Sequence, residues 1–304
     1  LMIRAQIDDN SQAVQSMAIS VNELAGAVSL ANELDTRTNM LFDEIGSLRD
    51  QYQEQADVWI EISTQAEQID TKSIVHQAGT VPGLYMIHNS SDGEREFFYW
   101  RSQAPARQLF SQQQEIAMLE ETLSDCDMIY LSGITLAVIS TQARQQLLAF
   151  LRRFKERGGQ VAFDSNYRPR LWQTPEQAQQ AMSELLSVTD LALLTLDDEE
   201  LLWGDEGDAI EAVKQRYADD GIAEIVLKRG AEDVIILNGD QQTRVVVPKV
   251  ANIVDTTAAG DTFNAGYLAA RSAGESAEAA AAQACRCARV IIQHRGGVID
   301  RELY

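Results

Sequence analysis

The sequence predicts an α/β protein in three layers, with a central, mostly parallel β-sheet between layers of helices. Three observations support this fold class. Short apolar segments alternate with longer amphipathic segments from residue 127 onward. The apolar segments are continuous rather than alternating, which is typical of strands buried on both faces. Turn-forming residues stand at the joints between segments, as in the loops of such sheets.

The first 68 residues differ in character from the rest of the chain. They contain no Pro and are rich in Ala, Gln, Glu, Asp and Ser. Apolar residues recur from Val14 to Ile62, mostly at steps of three and four, which is the spacing of amphipathic helices. We therefore predict two or three helices in this atypical segment. The pattern fits either an arm that binds a partner or an ordinary helical segment that packs on the domain, and it does not choose between them.

A small β-hairpin is predicted next, with strands over 84–88 and 96–101 joined by turn residues 89–93. Tyr99 and Arg101 lie two residues apart on the second strand, so they face the same side. An Arg can bind a carboxylate through two parallel hydrogen bonds, and a Tyr can hydrogen-bond a keto or hydroxyl group. The alternative is a solvated sheet face without a ligand, and the residues alone favour that alternative.

The remaining elements alternate in type. In order, the patterns predict a strand over 127–133, a helix over 141–157, a strand over 160–164, a helix over 175–188, a strand over 191–196, a helix over 208–218, a strand over 224–229, a hairpin over 234–237 and 243–247, and a helix over 276–293. In such sheets ligands bind beyond the carboxyl ends of the strands. The loops around Asn166, Lys228 and Gly260 fall at such ends, so they are expected to converge on one site.

The stretch IVDTTAAGDTFNAGY, residues 253–267, combines a small-residue loop with a helix start. We predict a loop over 255–261 and a helix from Thr262. A loop of Thr, Ala and Gly at a helix amino terminus can present backbone N–H groups and a partial positive charge to a phosphate. Asp261 would not bind phosphate, but it could take a proton from a hydroxyl that attacks the phosphorus. Alternatively, Asp261 only caps the helix.

Composition narrows the class of partners. The chain has 304 residues and a formal net charge of −21, which argues against nucleic acid and anionic membranes. No apolar run approaches the ~20 residues needed to span a bilayer. Three cysteines, two of them separated by a single residue, do not form a disulfide framework and indicate a reducing, cytosolic setting. The three histidines are scattered and give no metal-ligand spacing.

The DTTAAGD loop followed by TFNAGY resembles the carboxyl-terminal signature of the ribokinase/PfkB family of sugar kinases. Six further motifs extend the resemblance and narrow it to family members that phosphorylate a keto-deoxy sugar acid: PGLY at 82–85, GERxFxYWR at 93–101, YLSGI at 130–134, FDSNYRPRLW at 163–172, LTLDDEELLWG at 194–204 and VLKRGA at 226–231. The resemblance implies a ribokinase-like three-layer fold with a small β lid. It also implies ATP and Mg²⁺ as cofactors, and a small sugar acid as substrate.

The resemblance also implies roles for individual residues. Asp261 would be the catalytic base, and the anion hole would be formed by Ala258, Ala259 and Gly260. The substrate contacts would be Tyr85, Tyr99, Arg101 and Arg168, and the nucleotide contacts would be Asn166, Lys228 and Gly230. The wider family uses an Asn-x-x-Glu motif to organise Mg²⁺ through water. This chain has Thr195 and Asp198 at those positions, so Asp198 is the candidate. Alternatively, residues 197–200 are only the acidic start of a helix.

Residues 1–68 depart from the family pattern, because they contain neither an opening apolar strand nor a Gly-Gly sugar-binding loop. We therefore assign the kinase domain to residues 69–304, with a lid hairpin at about 82–101. The main hypothesis is a kinase for 2-keto-3-deoxy sugar acids, impaired if the missing loop is needed. The alternatives are a catalytically impaired module that binds nucleotide or sugar acid, and a kinase for another sugar. The sequence leaves open whether copies associate into a homo-oligomer.

Overall fold

The computed structural model describes residues 83–89, 95–100, 104–205, 207–217 and 221–303, together with a few isolated earlier positions. The chain divides into two compact units, Leu1–Pro105 and Ala106–Tyr304, and each is described by itself. Within 1–68, where helices are predicted, Thr36, Arg37 and Met40 are helical, and the rest of that prediction lies outside the described residues.

The first unit contains the predicted hairpin. Strand β1 (Leu84–Asn89) pairs antiparallel with β2 (Arg95–Trp100). Tyr85 stands directly opposite Tyr99 in this ladder. The two strands confirm the hairpin predicted from sequence, whereas Arg101 lies outside the described residues.

The second unit is a sheet with helices between its strands. Its strands are β3 (Met128–Ser132), β4 (Gln160–Asp164), β5 (Leu191–Thr195), β6 (Glu224–Lys228), β7 (Val234–Asn238) and β8 (Gln241–Val245). Its helices are α1 (Gln113–Thr122), α2 (Gly133–Val138), α3 (Thr141–Glu156), α4 (Pro175–Leu186), α5 (Leu196–Trp203), α6 (Ala209–Tyr217), α7 (Ala259–Ser272) and α8 (Ala277–Ile291). No described helix is both long and apolar enough to cross a membrane.

The six strands lie in chain order, β3-β4-β5-β6-β7-β8. Strands β3 to β6 are parallel, and β7 and β8 extend the sheet as an antiparallel ribbon. The prediction of a mostly parallel sheet is therefore confirmed. The parallel strands all end at the same edge, which is where the polar side chains gather.

Alternate residues of each central strand enter two separate apolar cores. On β4, for example, Val161 and Phe163 join the core made with α1 to α6, and Ala162 joins the core made with α7 and α8. A strand covered on both faces needs apolar residues at every position. The continuous apolar segments in the sequence therefore encode the three layers.

Helices α7 and α8 approach each other closely. A Cβ atom at Gly266 of α7 would lie 3.1 Å from both the Ala284 Cα atom and the Cys287 Sγ atom of α8. These distances are shorter than ordinary van der Waals contact. The close packing of this helix pair therefore depends on glycine at position 266.

The start of α7 differs from the prediction. The helix begins at Ala259 rather than at Thr262, so the predicted loop over 255–261 is too long. Ala258 adopts a left-handed conformation with φ of 58° at the N-cap position, and the Thr262 N–H donates to its carbonyl at 2.8 Å. Asp261 is therefore the third helical residue, and the alternative that it caps the helix is wrong.

The sequence patterns also missed two helices, α1 and α2. Helix α1 has a weak amphipathic pattern, and α2 follows its strand with no intervening loop. The alternative that residues 197–200 begin a helix is confirmed by α5, whose first residue is Leu196. The predicted turn at Gly133 is instead the first residue of α2, where the Ser132 hydroxyl accepts a hydrogen bond from the Ile134 N–H. Junctions this short contain no run of turn residues by which the sequence could mark them.

Candidate active site

The carboxyl-terminal edge of the parallel sheet carries four polar side chains that hydrogen-bond to one another. They are Tyr130 of β3, Asp164 at the end of β4, Lys228 at the end of β6, and Asn264 of α7; we call this set the strand-end network. The Lys228 Nζ atom lies 3.1 Å from Asp164 Oδ1 and 3.0 Å from Asn264 Oδ1. Asn264 Nδ2 lies 3.1 Å from the Tyr130 hydroxyl, which lies 3.5 Å from Asp164 Oδ2. The network joins the ends of β4 and β6 and the middle of β3 to the helix that carries Asp261.

The direction of each hydrogen bond follows from chemistry. An ammonium only donates, so Asn264 accepts from Lys228 through its carbonyl and donates to Tyr130 through its amide. The Tyr130 hydroxyl is then free to donate to Asp164. Burial, together with the negative charges of Asp164 and Asp261, raises the pKa of Tyr130. The phenol is therefore neutral, although its residue is 41% exposed at the edge of the described sheet.

Asp261 lies in the first turn of α7 and is exposed. Asn264 of the strand-end network follows three residues later on the same helix, so the two side chains lie about one turn apart on α7. Within the described part of the chain, no hydrogen bond or ion pair engages this carboxylate. An exposed, unengaged carboxylate beside a helix amino terminus is available to accept a proton.

The backbone around Asp261 has the form of an anion site. The N–H groups of Gly260 and Asp261 lie in the first turn, where no intrahelical carbonyl precedes them. The Ala259 N–H instead donates to the Thr256 carbonyl at 3.2 Å. Space beside Gly260 is open, since a Cβ atom there would meet nothing within 4 Å. Of the predicted anion hole, the Gly260 amide is the best placed to receive an oxygen.

The loop before α7 is fixed by Asp255. Its Oδ1 atom accepts from the Thr257 N–H at 2.8 Å, and its Oδ2 atom accepts from the Gly296 N–H at 3.1 Å. The N–H groups of Val254 and Asp255 both donate to the Ile292 carbonyl. The loop is thereby tied to the segment that follows α8.

Asp198 and Arg168 meet at the same edge of the sheet. Asp198 Oδ2 accepts from the Tyr167 N–H at 3.2 Å, and Asp198 Oδ1 lies 3.6 Å from Arg168 Nη1. The pKa of Asp198 is raised, chiefly because the side chain is buried, although the Arg168 charge lowers it. The charge of Asp164 raises this pKa further, and that of Lys228 lowers it. The loop after β4 is therefore joined to the first turn of α5 at this edge of the sheet.

The predicted nucleotide residues differ in how they are presented. Asn166 has a positive φ of 33°, and its Oδ1 atom is buried without a hydrogen-bond partner in the described residues. Gly230 has φ of 60°, and the space beside it is open. The ammonium of Lys228, by contrast, is turned inward to the strand-end network, and only 10% of its side chain is exposed.

Three of the predicted substrate residues belong to the first unit. Tyr85 and Tyr99 pair across the β1–β2 ladder, and Arg101 lies outside the described residues. Their predicted contacts with substrate remain predictions.

Sequence reasoning did not assign roles to Tyr130, Asp164 or Asn264. Asp164 offered a signal, since it is a charged residue that directly ends the apolar strand QVAFD. Asn264 offered another, because it interrupts the apolar face of α7 and is nevertheless 1% exposed. A buried polar residue generally has a partner.

Residues 58–302 match the profile of the pfkB family carbohydrate kinases. The chain therefore belongs to the pfkB family.

The chain is similar in sequence to several curated sugar kinases. The chain is 43% identical over 253 residues to 2-dehydro-3-deoxygluconokinase of Escherichia coli K12. The alignment covers 82% of this chain and 79% of the relative. It is 42% identical over 243 residues to the 2-dehydro-3-deoxygluconokinase of Dickeya dadantii, covering 79% and 77%. Identity to a fructokinase of Vibrio alginolyticus is 24% over 206 residues, covering 68% and 64%.

Solved structures agree on the fold. A putative Ribokinase II of E. coli in complex with ATP and Mg²⁺ superposes with a TM-score of 0.67 at 23% identity, covering 79% of this chain and 74% of that one. The 2-dehydro-3-deoxygluconokinase of Thermotoga maritima gives a TM-score of 0.59 at 20% identity, covering 73% and 70%. The ribokinase-like fold predicted from sequence is confirmed.

Proposed function

We propose that this carbohydrate kinase transfers the γ-phosphoryl group of ATP to the terminal hydroxyl of 2-dehydro-3-deoxygluconate, giving the 6-phosphate. The observation that carries the proposal is the placement of Asp261 in the first turn of α7, exposed and unengaged by other described residues, beside the Gly260 amide. The substrate is suggested by relatives at 38–43% identity that are named 2-dehydro-3-deoxygluconokinase. Fructokinases and an aminoimidazole riboside kinase stand at 24–27%.

The chemical step needs one base. Asp261 accepts the proton of the terminal hydroxyl as its oxygen attacks the γ-phosphorus. The new O–P bond forms while the bond from the γ-phosphorus to the bridging oxygen breaks, and ADP leaves with that electron pair. The proton ends on the Asp261 carboxylate and is released to solvent, to which this side chain is open.

The charge that develops on the phosphoryl oxygens also needs a partner. The Gly260 and Asp261 N–H groups and the dipole of α7 favour negative charge at this position. These groups are fixed before substrate arrives, because Asp255 and the Ile292 carbonyl tie down the loop that leads into the helix. Preorganised donors stabilise a transition state without further rearrangement.

The residues present fit Mg·ATP. ATP supplies the phosphoryl group, and Mg²⁺ neutralises charge on its phosphate oxygens. No group of three or more His, Cys, Asp or Glu side chains able to hold a metal occurs among the described residues, and Mg²⁺ in such sites commonly keeps its waters and uses only one or two carboxylates. Asp198 would serve in this way. The unpartnered Asn166 Oδ1 atom and the open backbone at Gly230 would meet the nucleotide.

Recognition of the sugar acid is assigned to cationic and phenolic groups. Arg101 and Arg168 would bind the carboxylate and phosphate ends, and Tyr85 and Tyr99 would hydrogen-bond the keto and hydroxyl groups. Arg168 is half exposed, at 52% of its side chain, and its pairing with Asp198 is loose at 3.6 Å. The Arg168 Nη1 atom also donates to the Tyr167 carbonyl at 2.8 Å. The remaining N–H groups of this exposed guanidinium would engage the anionic ligand.

The test is ATP turnover by the purified chain with 2-dehydro-3-deoxygluconate, with ribose and fructose as neutral controls. We expect turnover that depends on the sugar acid. Turnover with a neutral sugar instead would reassign the substrate within the family. A folded chain that binds ATP but turns over no sugar would favour the binding-module alternative and contradict the proposal.

A further inference from the structure

Helix α7 is attached to strand β6 at two points by polar side chains. At its amino-terminal end, Asn264 bonds to Lys228, which pairs with Asp164. At its carboxyl-terminal end, Arg271 pairs with Glu224, the first residue of β6, at 3.1 Å. We call these the amino-end clamp and the carboxyl-end clamp.

The two clamps are built alike. Each contains one cation, one carboxylate and one tyrosine hydroxyl. In the carboxyl-end clamp the Tyr267 hydroxyl donates to Glu224 Oε1 at 2.8 Å, as the Tyr130 hydroxyl donates to Asp164 in the other. Both carboxylates are nearly buried, with 8% of the Glu224 side chain and 5% of the Asp164 side chain exposed. The clamps differ in what lies next to them, since only the amino-end clamp is close to Asp261.

The side chains of the first turn of α7 are not packed into the core, although the loop before the helix is anchored by Asp255. None of residues 259–262 is buried, and the first buried residues of the helix are Phe263 and Asn264. Phe263 packs in the apolar core, and this packing holds the helix on the sheet. Apolar contacts have no preferred direction, so they allow small rotations and shifts of the helix. Asn264, one turn beyond Asp261, has two directional hydrogen bonds that fix its position. The Asn264 side chain therefore restrains the orientation of the first turn from the helix side, and the Asp255 loop restrains it from the other.

A buried ion pair is weak evidence of a stabilising role, because desolvation of the charges offsets much of their attraction. Lys228 nevertheless has a specific effect. By donating to both Asp164 and Asn264, it sets the distance between the end of β4 and the start of α7. That distance separates the loop of Asn166 and Arg168 from Asp261.

We propose that Lys228 is a positioning residue for phosphoryl transfer, which acts through Asn264 to hold the first turn of α7, and with it Asp261, against the strand ends. The inference rests on the proposed function in taking Asp261 as the base. It differs from the expectation that Lys228 contacts nucleotide. A displacement of about 1 Å in reacting groups can lower a rate about 100-fold, so the effect belongs in kcat.

Three variants test this role. Lys228→Met removes the cation of the amino-end clamp and keeps the side-chain length. Asn264→Leu removes the hydrogen bonds from the amino-end clamp to the helix and leaves the Lys228–Asp164 pair in place. It replaces Lys228→Met as the test variant if Lys228→Met folds poorly. Arg271→Met is the matched control, since it removes the cation of the carboxyl-end clamp and leaves Glu224 with the Tyr267 hydroxyl.

The first readout separates kcat from KM in the wild-type chain and the three variants. We expect Lys228→Met and Asn264→Leu to lower kcat about 10- to 100-fold with the KM for ATP within about twofold of wild type. Arg271→Met should keep the wild-type kcat even where it lowers stability to urea. A rise in the KM for ATP with unchanged kcat in Lys228→Met would instead assign Lys228 to the nucleotide and overturn the proposal. An equal loss of kcat in Lys228→Met and Arg271→Met would also overturn it, because both clamps would then be structural.

The second readout needs no turnover. Amide hydrogen exchange should quicken at residues 262–265, whose N–H groups close the first turn, in Lys228→Met and Asn264→Leu. In Arg271→Met, the exchange rate at residues 262–265 should equal that of the wild type. If the wild-type chain has no kinase activity, the proposed function fails, and the positioning role is decided by this exchange pattern alone. Unchanged exchange at 262–265 in both amino-end variants would refute it.

Discussion

The Tyr217 hydroxyl donates a 2.7 Å hydrogen bond to the buried carboxyl group of Glu199, and this bond joins helix α6 to helix α5. Arg216 donates to the same carboxylate oxygen at 3.0 Å and also pairs with Asp205. Glu199 follows Asp198 directly, so the link supports the helix that presents the candidate Mg²⁺ residue. The sequence by itself gives no sign that one of these neighbouring acidic side chains is buried.

Replacement of Glu199 by Gln should change how stability depends on pH. Burial raises the pKa of Glu199 from 4.5 to about 7, despite the opposing effects of Tyr217 and Arg216. A raised carboxyl pKa means that the folded chain binds the proton more tightly. This contribution is fully present below about pH 4.5 and is lost as the pH rises through 7. One pKa unit corresponds to about 1.4 kcal/mol, so the loss is on the order of 3 kcal/mol.

Urea denaturation at intervals between pH 4.5 and pH 8 measures this effect. The free energy of unfolding of wild type should fall more steeply over that range than that of Glu199→Gln, which keeps an acceptor for Tyr217. Glu200→Gln, at the exposed neighbouring residue, is the control and should follow the wild-type curve. Parallel curves for wild type and Glu199→Gln would contradict the prediction.

Asp261→Asn should lower kcat at least about 100-fold, because an amide cannot accept the proton of the attacking hydroxyl. ATP binding, measured by calorimetry, should remain near wild type. Glu275→Gln removes one charge beyond the opposite end of α7 and should leave kcat unchanged. Turnover by Asp261→Asn close to that of the Glu275→Gln control would rule out Asp261 as the base.

Asp198→Asn should raise the Mg²⁺ concentration needed for half-maximal turnover. A carboxylate that orients the waters of a metal typically contributes about 10- to 100-fold in affinity. The rate at saturating Mg²⁺ should recover in part. Asp197→Asn removes the exposed neighbouring carboxylate and is the matched control. A Mg²⁺ titration in which the two variants coincide would remove Asp198 from the metal site.

Arg101→Leu should raise the KM for the sugar acid about 10- to 100-fold, since a charge-assisted hydrogen bond contributes about 1.5–3 kcal/mol. The KM for ATP should not change. Arg107→Leu, at an exposed position after the hairpin, provides the comparison. A normal KM for the sugar acid in Arg101→Leu would show that the carboxylate is bound elsewhere.

The sheet and most of its helices were predictable, because a strand covered on both faces must be apolar throughout. The segment QVAFD illustrates this, since the predicted strand and β4 have the same limits, Gln160–Asp164. The start of α7 was not predictable in the same way. Ala258 takes the left-handed conformation there, whereas the sequence signals for such a position are Gly or Asn.

The strand-end network was beyond sequence reasoning for a different reason. Asp164 and Lys228 are 64 residues apart, and Tyr130 and Asn264 are 134 apart. Spacing rules act within one element, so they cannot pair side chains across four elements. They did place the loops around Asn166, Lys228 and Gly260 at one sheet edge, because parallel strands share their carboxyl ends. The helices predicted in 1–68 and the boundary at residue 69 stay predictions; the family match begins at residue 58.

The glycine contact between α7 and α8 makes the two helices a single mechanical unit. With no side chain at Gly266 to act as a spacer, neither helix can rotate without moving the other. Arg286 lies on the exposed surface of α8, one turn or less from that contact. A fluorescent dye attached at position 286 would therefore report movement of the helix that carries Asp261.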